Sequence, residues 1–290
     1  MTPRLHVLLA RDANIGVVIR RGPSKEVASI LWNRTNDTFA LGQWLKGRIY
    51  ERRSDLSPDG QHLIYFAMNG HWSSHAKGAW TAISIAPYLK AVALYAKGDC
   101  WHGGGLFLDN KTYWLNDGYG HTLLEQTTRV HRAAPTAMRA QYGGECMGVY
   151  LPRLMRDGWQ MRDTEQERDA YALDKPLWHG WILRKYARAQ VGPPPGKGVY
   201  FDEHVLLHLE RDLLVPVAWE WADVDRGRLV WSDDGALWAG SITRASAATD
   251  QPLAATTKLH DFSAMKFEAL RAPYTAVPAV PKKPKKPRRD

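Results

Sequence analysis

Two histidines lie among carboxylates in the segment FDEHVLLHLERD, residues 201–212. His204 and His208 are four residues apart, so both imidazoles would share one face of a helix or, because the spacing is even, one side of a strand. Imidazoles at this spacing are candidate zinc ligands. The order H-E-x-x-H, in which a glutamate between the histidines activates the metal-bound water, is absent. We therefore favour two exposed histidines on the polar edge of a strand, and we expect no cofactor.

A thiol and an imidazole lie close together in KGDCWHGGGLF, residues 97–107. Asp99, Cys100 and His102 are candidate catalytic residues, because a thiol beside an imidazole can act as a nucleophile and alternate residues of a strand share a face. The alternative is structural, with the glycines at 103–105 forming a tight turn or bulge that lets Trp101 pack. We favour the structural interpretation.

The segment GQWLKGRIYERRSD, residues 42–55, is rich in arginine and aromatic residues. Strand alternation would place Arg48, Tyr50 and Arg52 largely on one side, which would form a basic and aromatic face for a peptide or a nucleic acid. The alternative is packing of the arginine side chains over aromatic rings. We take Arg48, Tyr50, Arg52 and Arg53 as the candidate contact residues for a partner.

Two glycine-containing loops add further cations. The loop RRGPSK, residues 20–25, offers Arg20, Arg21 and Lys25 for contact with an anion, although it lacks the G-K-[ST] order of a P-loop. The loop PPPGKG, residues 193–198, is a polyproline loop without a phosphate-binding pattern. Both segments are typical of surface turns.

Most of the net charge of +9 lies at the C-terminus, where AVPAVPKKPKKPRRD carries six cations and one carboxylate. The prolines and charges predict a disordered tail over residues 276–290. Such a tail offers non-specific contact with nucleic acid, acidic proteins or an anionic surface, or it serves only solubility. The candidate contact residues of the tail are Lys282, Lys283, Lys285, Lys286, Arg288 and Arg289.

The elements that would position these groups are predominantly strands. Short β-rich runs separated by Gly, Pro, Asn or Asp dominate the first 120 residues, and strand-like runs resume with CMGVYLPRLM, residues 146–155. Residues 121–141 lack this punctuation, and their composition predicts a short helical insertion broken near Pro135. Residues 1–275 are therefore predicted to form one all-β domain.

A strand–Asp–turn–strand pattern recurs along the chain. It occurs as SPDGQHLIYF (57–66), FLDNKTYWLN (107–116), LMRDGWQMRD (154–163) and WSDDGALWAG (231–240). The first three are separated by 50 and 48 residues and the last by 77, which indicates repeats with an insertion. Periods of this length, each holding several strands, are typical of propeller blades. The thirteen tryptophans, all between Trp32 and Trp238, also favour a propeller or a barrel.

The segment DLSPDGQHLIYFA, residues 55–67, resembles the core of the WD40-like beta propeller repeats of TolB-like proteins, and WSDDGALWAG is a looser match. This resemblance implies a β-propeller, in which the turn joins neighbouring strands of one blade and Asp and Gly supply side-chain hydrogen bonds and a positive φ. It implies no particular activity. We expect about five or six blades, with a β-sandwich or a pair of split barrels as the alternative.

These features predict a binding protein rather than an enzyme. The two cysteines support neither a zinc cage nor a disulfide framework, and no apolar run is long enough for a signal peptide or a membrane span, so we expect a cytoplasmic protein. The leading hypothesis is a β-propeller-like scaffold that binds a protein partner through loops at one end. The alternatives are a propeller-based hydrolase with an acidic or metal-dependent site, and a nucleic-acid-associated protein that uses the basic tail.

Overall fold

The computed structural model of the chain describes residues 2–22, 25–118, 120–138, 145–162 and 170–275. The prediction of an all-β chain is confirmed, because most ordered elements are strands and they form five sheets of three to five strands. The basic tail lies outside the described residues. Within the described ranges, no helix combines the length and the apolar character that crossing a membrane requires.

The first two sheets are built mainly from consecutive antiparallel strands. The first contains β1 (Arg4–Leu9), β2 (Ile15–Arg21), β3 (Glu26–Asn33) and β4 (Thr38–Lys46) in that order. The second contains β5 (Arg48–Leu56), β6 (His62–Met68), β7 (Ala79–Ile85) and β8 (Ala91–Ala96), with β11 (Thr122–Glu125) added beside β8.

The third sheet is small, and a helix follows it. The sheet contains β9 (Gly105–Phe107), β10 (Thr112–Leu115) and β12 (His131–Arg132), the last running parallel to β10. A 3-10 turn at Pro135–Ala137 and helix α1 (Met147–Arg156) come next in the chain.

The fourth and fifth sheets complete the fold as two further antiparallel meanders. The fourth contains β13 (Gln160–Arg162), β14 (Ala170–Pro176), β15 (Trp181–Ala189), β16 (Tyr200–His208) and β17 (Leu213–Val217), with a 3-10 turn at Leu209–Arg211. The fifth contains β18 (Trp221–Asp225), β19 (Arg228–Asp233), β20 (Ala236–Ser241) and β21 (Ala254–Asp261), with the short helix α2 (Arg244–Ala247) before its last strand.

Strand β6 shows why the sheets stack in the order of the chain. Its residues are apolar on both faces, and both faces are buried. Leu63 on one face belongs to a core cluster with Val17 of the first sheet, whereas Ile64 on the other face clusters with Phe107 of the third sheet. A strand that is apolar on both sides therefore lies between two neighbouring layers, because only that position removes both faces from water.

Helix α1 connects the third sheet with the fourth and fifth sheets. Val149 clusters with Trp114 of the third sheet, and Tyr150 and Leu154 belong to a core that includes Leu183 of β15. The sequence-based prediction of a helix within 121–141 is wrong for the described part of that segment, which contains β11, β12 and the 3-10 turn. The prediction of a strand at 146–155 is also wrong, because residues 147–156 form α1. The side chains that α1 places in one core cluster, Met147, Tyr150, Leu151 and Leu154, have the helical spacing of three and four residues.

The SPDG segment forms the tight turn that joins β5 and β6, as predicted. Ser57 Oγ donates to Asp59 Oδ1 at 2.6 Å, and the backbone N–H of Gln61 donates to the same carboxylate oxygen at 3.0 Å. Gly60 has a φ of +73°, and a Cβ atom there would lie 2.8 Å from Cβ of Ile15. Asp59 and Gly60 therefore supply the side-chain hydrogen bonds and the backbone conformation that this turn requires.

The other three Asp-containing segments do not occupy equivalent places. Asp109 lies in the turn between β9 and β10, and Asp234–Gly235 form the turn between β19 and β20. Asp157 caps the C-terminal end of α1 instead of joining two strands. The near-equal spacing of the first three segments therefore does not mark a repeated strand–turn–strand unit, since the third segment is a helix end.

Candidate functional sites

A cleft of about 340 Å³ at one end of β1 is lined by cations and contains no carboxylate among its lining residues. It lies where the β2–β3 turn, the β4–β5 connection and the loop before β16 meet. We call it the basic cleft; it is lined by Thr2, Arg4, Arg21, Gly22, Lys25, Gly47, Arg48, Gly196, Lys197 and Gly198. Four glycines leave the backbone open to a bound group, and five side chains supply positive charge.

The five cations differ in whether they form an ion pair. Arg4 pairs with Glu220 at 3.7 Å and Arg21 pairs with Glu51 at 3.0 Å. Lys25, Arg48 and Lys197 form no ion pair within the described residues, and all three are exposed. The loops 20–25 and 193–198, which the sequence identified separately, therefore meet at one site together with Arg48.

Two exposed tryptophans lie at the same end of the molecule as the basic cleft. Trp72 is 54% exposed in the β6–β7 loop and Trp101 is 55% exposed in the β8–β9 loop. The first loop approaches the cleft, because a Cβ atom on Gly47 would lie 3.1 Å from Cβ of Asn69. The expectation that Trp101 packs is wrong, since its loop leaves more than half of the ring in contact with solvent.

A bulge in β5 decides where the other predicted contact residues lie. Tyr50 pairs with Phe66 and Asp55 pairs with Ile64, so residues 51–54 of β5 face a single residue of β6. The hydroxyl of Ser54 donates to the Tyr50 carbonyl oxygen at 3.0 Å and closes the bulge. Strict alternation is lost, and both adjacent arginines, 52 and 53, point into the fold.

Arg52 and Arg53 are buried, at 5% and 1% exposure, so they cannot form the accessible face expected from the sequence. Arg53 donates to the carbonyl oxygens of Cys100 and His102 and lies over the ring of Tyr50, 4.8 Å from its centre. Arg48 also lies over Tyr50, at 4.6 Å, but remains exposed. The alternative interpretation, arginine packing over aromatic rings, is confirmed for this segment.

Arg52 belongs to a buried group of ionisable residues that we call the inner cluster: His6, Arg52, Tyr150, Arg153, Lys185 and Asp202. Arg52 pairs with Asp202 at 2.5 Å, and the Tyr150 hydroxyl donates to the other carboxylate oxygen. Lys185 Nζ lies 3.3 Å from the Tyr150 hydroxyl oxygen and 3.9 Å from Asp202. The cluster draws one member or more from the first, second and fourth sheets and from α1.

Burial sets the protonation of this cluster. Burial lowers the pKa of Lys185 to about 8, and burial together with the nearby Arg153 lowers the pKa of His6 well below its ordinary value. Burial alone would raise the pKa of Asp202, but Arg52 and Lys185 hold it below its ordinary value. At neutral pH the cluster therefore contains a neutral imidazole and an ionised carboxylate.

A second cavity, of about 400 Å³, opens at the opposite end of β1. We call it the opposite cavity; it lies between the end of β1, the C-terminal half of α1 and β18. Its polar lining consists of Arg11, Arg34, Asp55, Tyr150, Arg153, Arg156, Asp157, Lys175 and Asp223, and its apolar lining includes Leu154, Trp221 and Val224. Tyr150 and Arg153 belong both to this lining and to the inner cluster.

The structure does not bring the predicted metal ligands together. His204 and His208 share one side of β16, but four residues of strand separate their Cα atoms by about 13 Å. The expectation of two exposed histidines is also wrong, because both side chains are buried. The Nδ1 atom of His204 lies 3.0 Å from the Trp219 carbonyl oxygen, and His208 packs edge-on against Trp181. No group of three or more His, Cys, Asp or Glu side chains suited to a metal ion occurs in the described residues.

The candidate catalytic thiol lies on an exposed loop. Cys100 is exposed, and Asp99 is paired with Lys97 at 2.9 Å. His102 has a φ of +57°, and its ring lies against Gly118, where a Cβ atom would come within 2.7 Å. The loop is fixed by the guanidinium of Arg53 below it, which indicates a structural role for this segment.

Sequence reasoning missed most of the inner cluster, although one signal was present. The buried residues of β15 are Trp181, Leu183, Lys185 and Ala187, so the lysine occupies an inward position of an alternating strand. A lysine at an inward position of an alternating strand predicts a buried charge that contacts a polar or charged partner. Tyr150 and Arg153 gave no comparable signal, because the segment that contains them was taken for a strand.

The described surface thus offers a basic cleft with exposed aromatic residues at one end and a polar cavity at the other, with the inner cluster between them. A cavity of about 50 Å³, lined by Arg4, His6, Arg21, Arg52 and Asp202 among others, connects the cleft with the cluster.

Comparisons with protein-family models, with curated proteins and with solved structures find no match for this chain.

Proposed function

We propose that the chain is a non-enzymatic β-propeller-like scaffold with five blades that binds an acidic segment of a protein partner at the basic cleft. The order of packing supports the propeller. The first sheet clusters with the second and the fifth, the second with the third, and the fourth with the fifth, while α1 fills the space between the third and the fourth. A closed order of this kind gives a rigid body with loops displayed at both ends.

The observation that carries the proposal is the charge of the basic cleft. Lys25, Arg48 and Lys197 are exposed cations that form no ion pair within the described residues, and they line a space of about 340 Å³. Carboxylates of a partner would pair with these cations without displacing an internal ion pair. An extended acidic segment fits this cleft better than a neutral one.

The neighbouring tryptophans favour a protein as the partner. Large aromatic side chains and arginine are enriched at the centres of protein interfaces. In alanine scanning, replacing these residues causes most of the measured loss of binding free energy. Trp72 and Trp101 are more than half exposed, and a Cβ atom on Gly98 of the second loop would lie 3.7 Å from Cβ of Lys77 in the first. The two rings therefore lie on neighbouring loops at the same end of the molecule as the cations, and together they offer a peptide both charge and aromatic surface.

The proposal is tested with charge-reversal variants. One variant carries Lys25→Glu, Arg48→Glu and Lys197→Glu, and the matched control carries Lys111→Glu, Arg129→Glu and Lys266→Glu, which are exposed cations outside every cavity described above. The binding of a fluorescein-labelled acidic peptide that contains leucine is followed by fluorescence anisotropy. We expect the cleft variant to lose about tenfold in affinity and the control to lose less than about twofold.

A single-stranded oligonucleotide of the same net charge distinguishes the two classes of partner. The proposal predicts that the peptide binds more tightly and that Trp72→Ala with Trp101→Ala weakens it further. Tighter binding of the oligonucleotide would favour the nucleic-acid alternative. Equal losses in both charge-reversal variants would contradict a specific role for the cleft.

A further inference from the structure

One edge of strand β1 faces the opposite cavity without a strand beside it. In the described chain β1 pairs with β2 alone and stands at the end of its sheet. The N–H of Leu5 donates to Glu220 at 3.2 Å and its carbonyl oxygen accepts from Ser232 Oγ at 3.4 Å, so Leu5 presents its backbone groups away from β2. Val7 and Leu9 present theirs in the same direction, because backbone groups alternate between the two sides of an antiparallel strand.

The backbone groups of Val7 and Leu9 have no hydrogen-bond partner within the described residues, and both residues line the cavity. Backbone groups that are removed from bulk water require partners, and here the partners must come from water or from a ligand in the cavity. This side of the cavity therefore offers two N–H donors and two carbonyl acceptors, on residues about 7 Å apart along the strand.

Lys175 supplies a further donor to the cavity that it lines. One of its three N–H groups donates to Asp223, and Nζ lies 5.2 Å from the centre of the Trp159 ring, so at least one N–H remains for a ligand. A Cβ atom on Gly158 would lie 3.8 Å from Cε of Lys175. The lysine side chain therefore lies beside the end of α1, where Asp157 is the next residue.

Asp157 supplies an acceptor in the same part of the cavity. One of its oxygens accepts from Nε of Arg156 at 2.8 Å and the other from Nη2 at 3.2 Å, so each oxygen retains a lone pair. A hydroxyl group both donates and accepts. It is therefore the ligand group that suits a free donor beside a free acceptor, both here and along β1.

The charges inside the rim of the cavity balance, which favours a ligand without net charge. Arg11 adds a positive charge only at the exposed rim. A charged ligand would enter a balanced site without a counter-charge and would lose its hydration. The charged residues inside the rim, including the ion-pair partner of the first, are the cations Arg34, Arg153, Arg156 and Lys175 and the carboxylates Asp55, Asp157, Asp223 and Asp225.

The size and the apolar lining of the cavity suit a small molecule. A volume of about 400 Å³ lies in the range of small-molecule sites. Leu154 and Trp221 contribute apolar surface to the lining, against which the C–H groups of a ligand would pack.

We propose that the opposite cavity binds an uncharged polyol of monosaccharide size, with hydroxyl groups on the free edge of β1 and on Lys175 and Asp157. An extended peptide would also pair with the edge of β1, but a polyol in addition satisfies the neighbouring donor and acceptor at the end of α1. This site lies at the other end of β1 from the basic cleft, so its occupancy does not depend on the proposed protein partner.

The test uses glucose, galactose and mannose as probes, with the matching uronates and amino sugars as charged controls and acetyl-trialanine amide as the peptide. Saturation-transfer NMR and isothermal titration calorimetry of the full chain measure binding. We expect at least one neutral sugar to bind at millimolar concentration and its charged counterparts to bind about fivefold more weakly or less. Binding of no neutral sugar, or tighter binding of a charged control or of the peptide, would overturn the proposal.

Two variants, each with a matched control, locate the site. Val224→Trp fills the cavity from its partly buried lining without changing a charge, and it should lose more than about tenfold in sugar affinity. Asp157→Asn keeps the shape of the side chain but weakens its acceptors, and it should lose about fivefold. Val191→Trp and Asp250→Asn make the same changes at exposed positions outside every cavity described above and should bind as the unmodified chain does. Unchanged binding in both cavity variants would exclude this site even if a sugar binds the protein.

Discussion

Nη2 of Arg153 lies 2.8 Å from Nε2 of His6, and this contact joins the wall of the opposite cavity to the small cavity that leads to the basic cleft. Because a guanidinium can only donate, the Nε2 atom of His6 must accept and the ring must be neutral, with its proton on Nδ1. Burial and the charge of Arg153 lower the pKa of His6 and hold it in that state. The linings of the two cavities are thus in direct contact through the inner cluster.

The turn between β5 and β6 should be intolerant of a side chain at Gly60. Gly60→Ala would place a Cβ atom against Ile15 at a positive φ, so we expect a loss of about 2–4 kcal/mol in the free energy of unfolding. Gly227 also has a positive φ, at +80°, but nothing lies within 4 Å of its Cβ position. Gly227→Ala should therefore cost only about 1 kcal/mol. Urea unfolding of both variants checks the difference; equal losses would mean that the close approach to Ile15 contributes nothing.

Lys185 should destabilise the fold at neutral pH. Its pKa falls from 10.5 in the unfolded chain to about 8 in the folded protein, so the unfolded state binds more protons between these values and stability rises with pH across that window. Lys185→Met removes the buried charge at similar volume, and we expect a gain of up to about 3 kcal/mol at pH 7 that narrows by pH 10. Denaturant unfolding at both pH values tests this. A loss at pH 7 would show that the contact with Asp202 outweighs the cost of burial.

Acid should destabilise the protein through buried histidines before most carboxylates titrate. The pKa of His204 is lowered from 6.5 to about 3 by burial, so the unfolded state alone takes up its proton as the pH falls between these values. Stability should decline by about 1.4 kcal/mol per pH unit from this residue within that window. His204→Leu should reduce the pH dependence of unfolding between pH 6 and pH 4, although it also loses the hydrogen bond to Trp219. An unchanged slope would mean that His204 is protonated in the folded state.

The two cysteines should differ sharply in reactivity. Cys100 is exposed, whereas Cys146 is buried, accepts a hydrogen bond from Nε of Arg53 at 3.2 Å and has a pKa raised by burial. Iodoacetamide at mildly alkaline pH should modify one thiol in the folded protein and both after unfolding. Mass spectrometry of Cys100→Ala supplies the control, because this variant should remain unmodified until it unfolds. Rapid modification of Cys146 in the folded variant would contradict its burial.

Local sequence was sufficient for the strand content and for the turn at residues 57–60. Alternating or continuous apolar residues between Gly, Pro, Asn and Asp predict strands because each strand buries one or both faces and each turn needs special backbone angles. The apolar run of β6 and the positive φ of Gly60 follow directly from this rule. The cations of loops 20–25 and 193–198 were also visible, since charge is a property of the residues themselves.

Tertiary structure alone decided which of these charges meet. The bulge at residues 51–54 turns Arg52 inward to Asp202, about 150 positions away in the chain, and no local pattern encodes that pairing. Helix α1 was taken for a strand because short apolar runs satisfy both periods, and its placement between sheets then created the opposite cavity around Arg153. The sequence by itself determined most of the strands and the supply of charge. Packing determined which charges are buried, neutralised or exposed, because burial depends on contacts between residues that are distant in the chain.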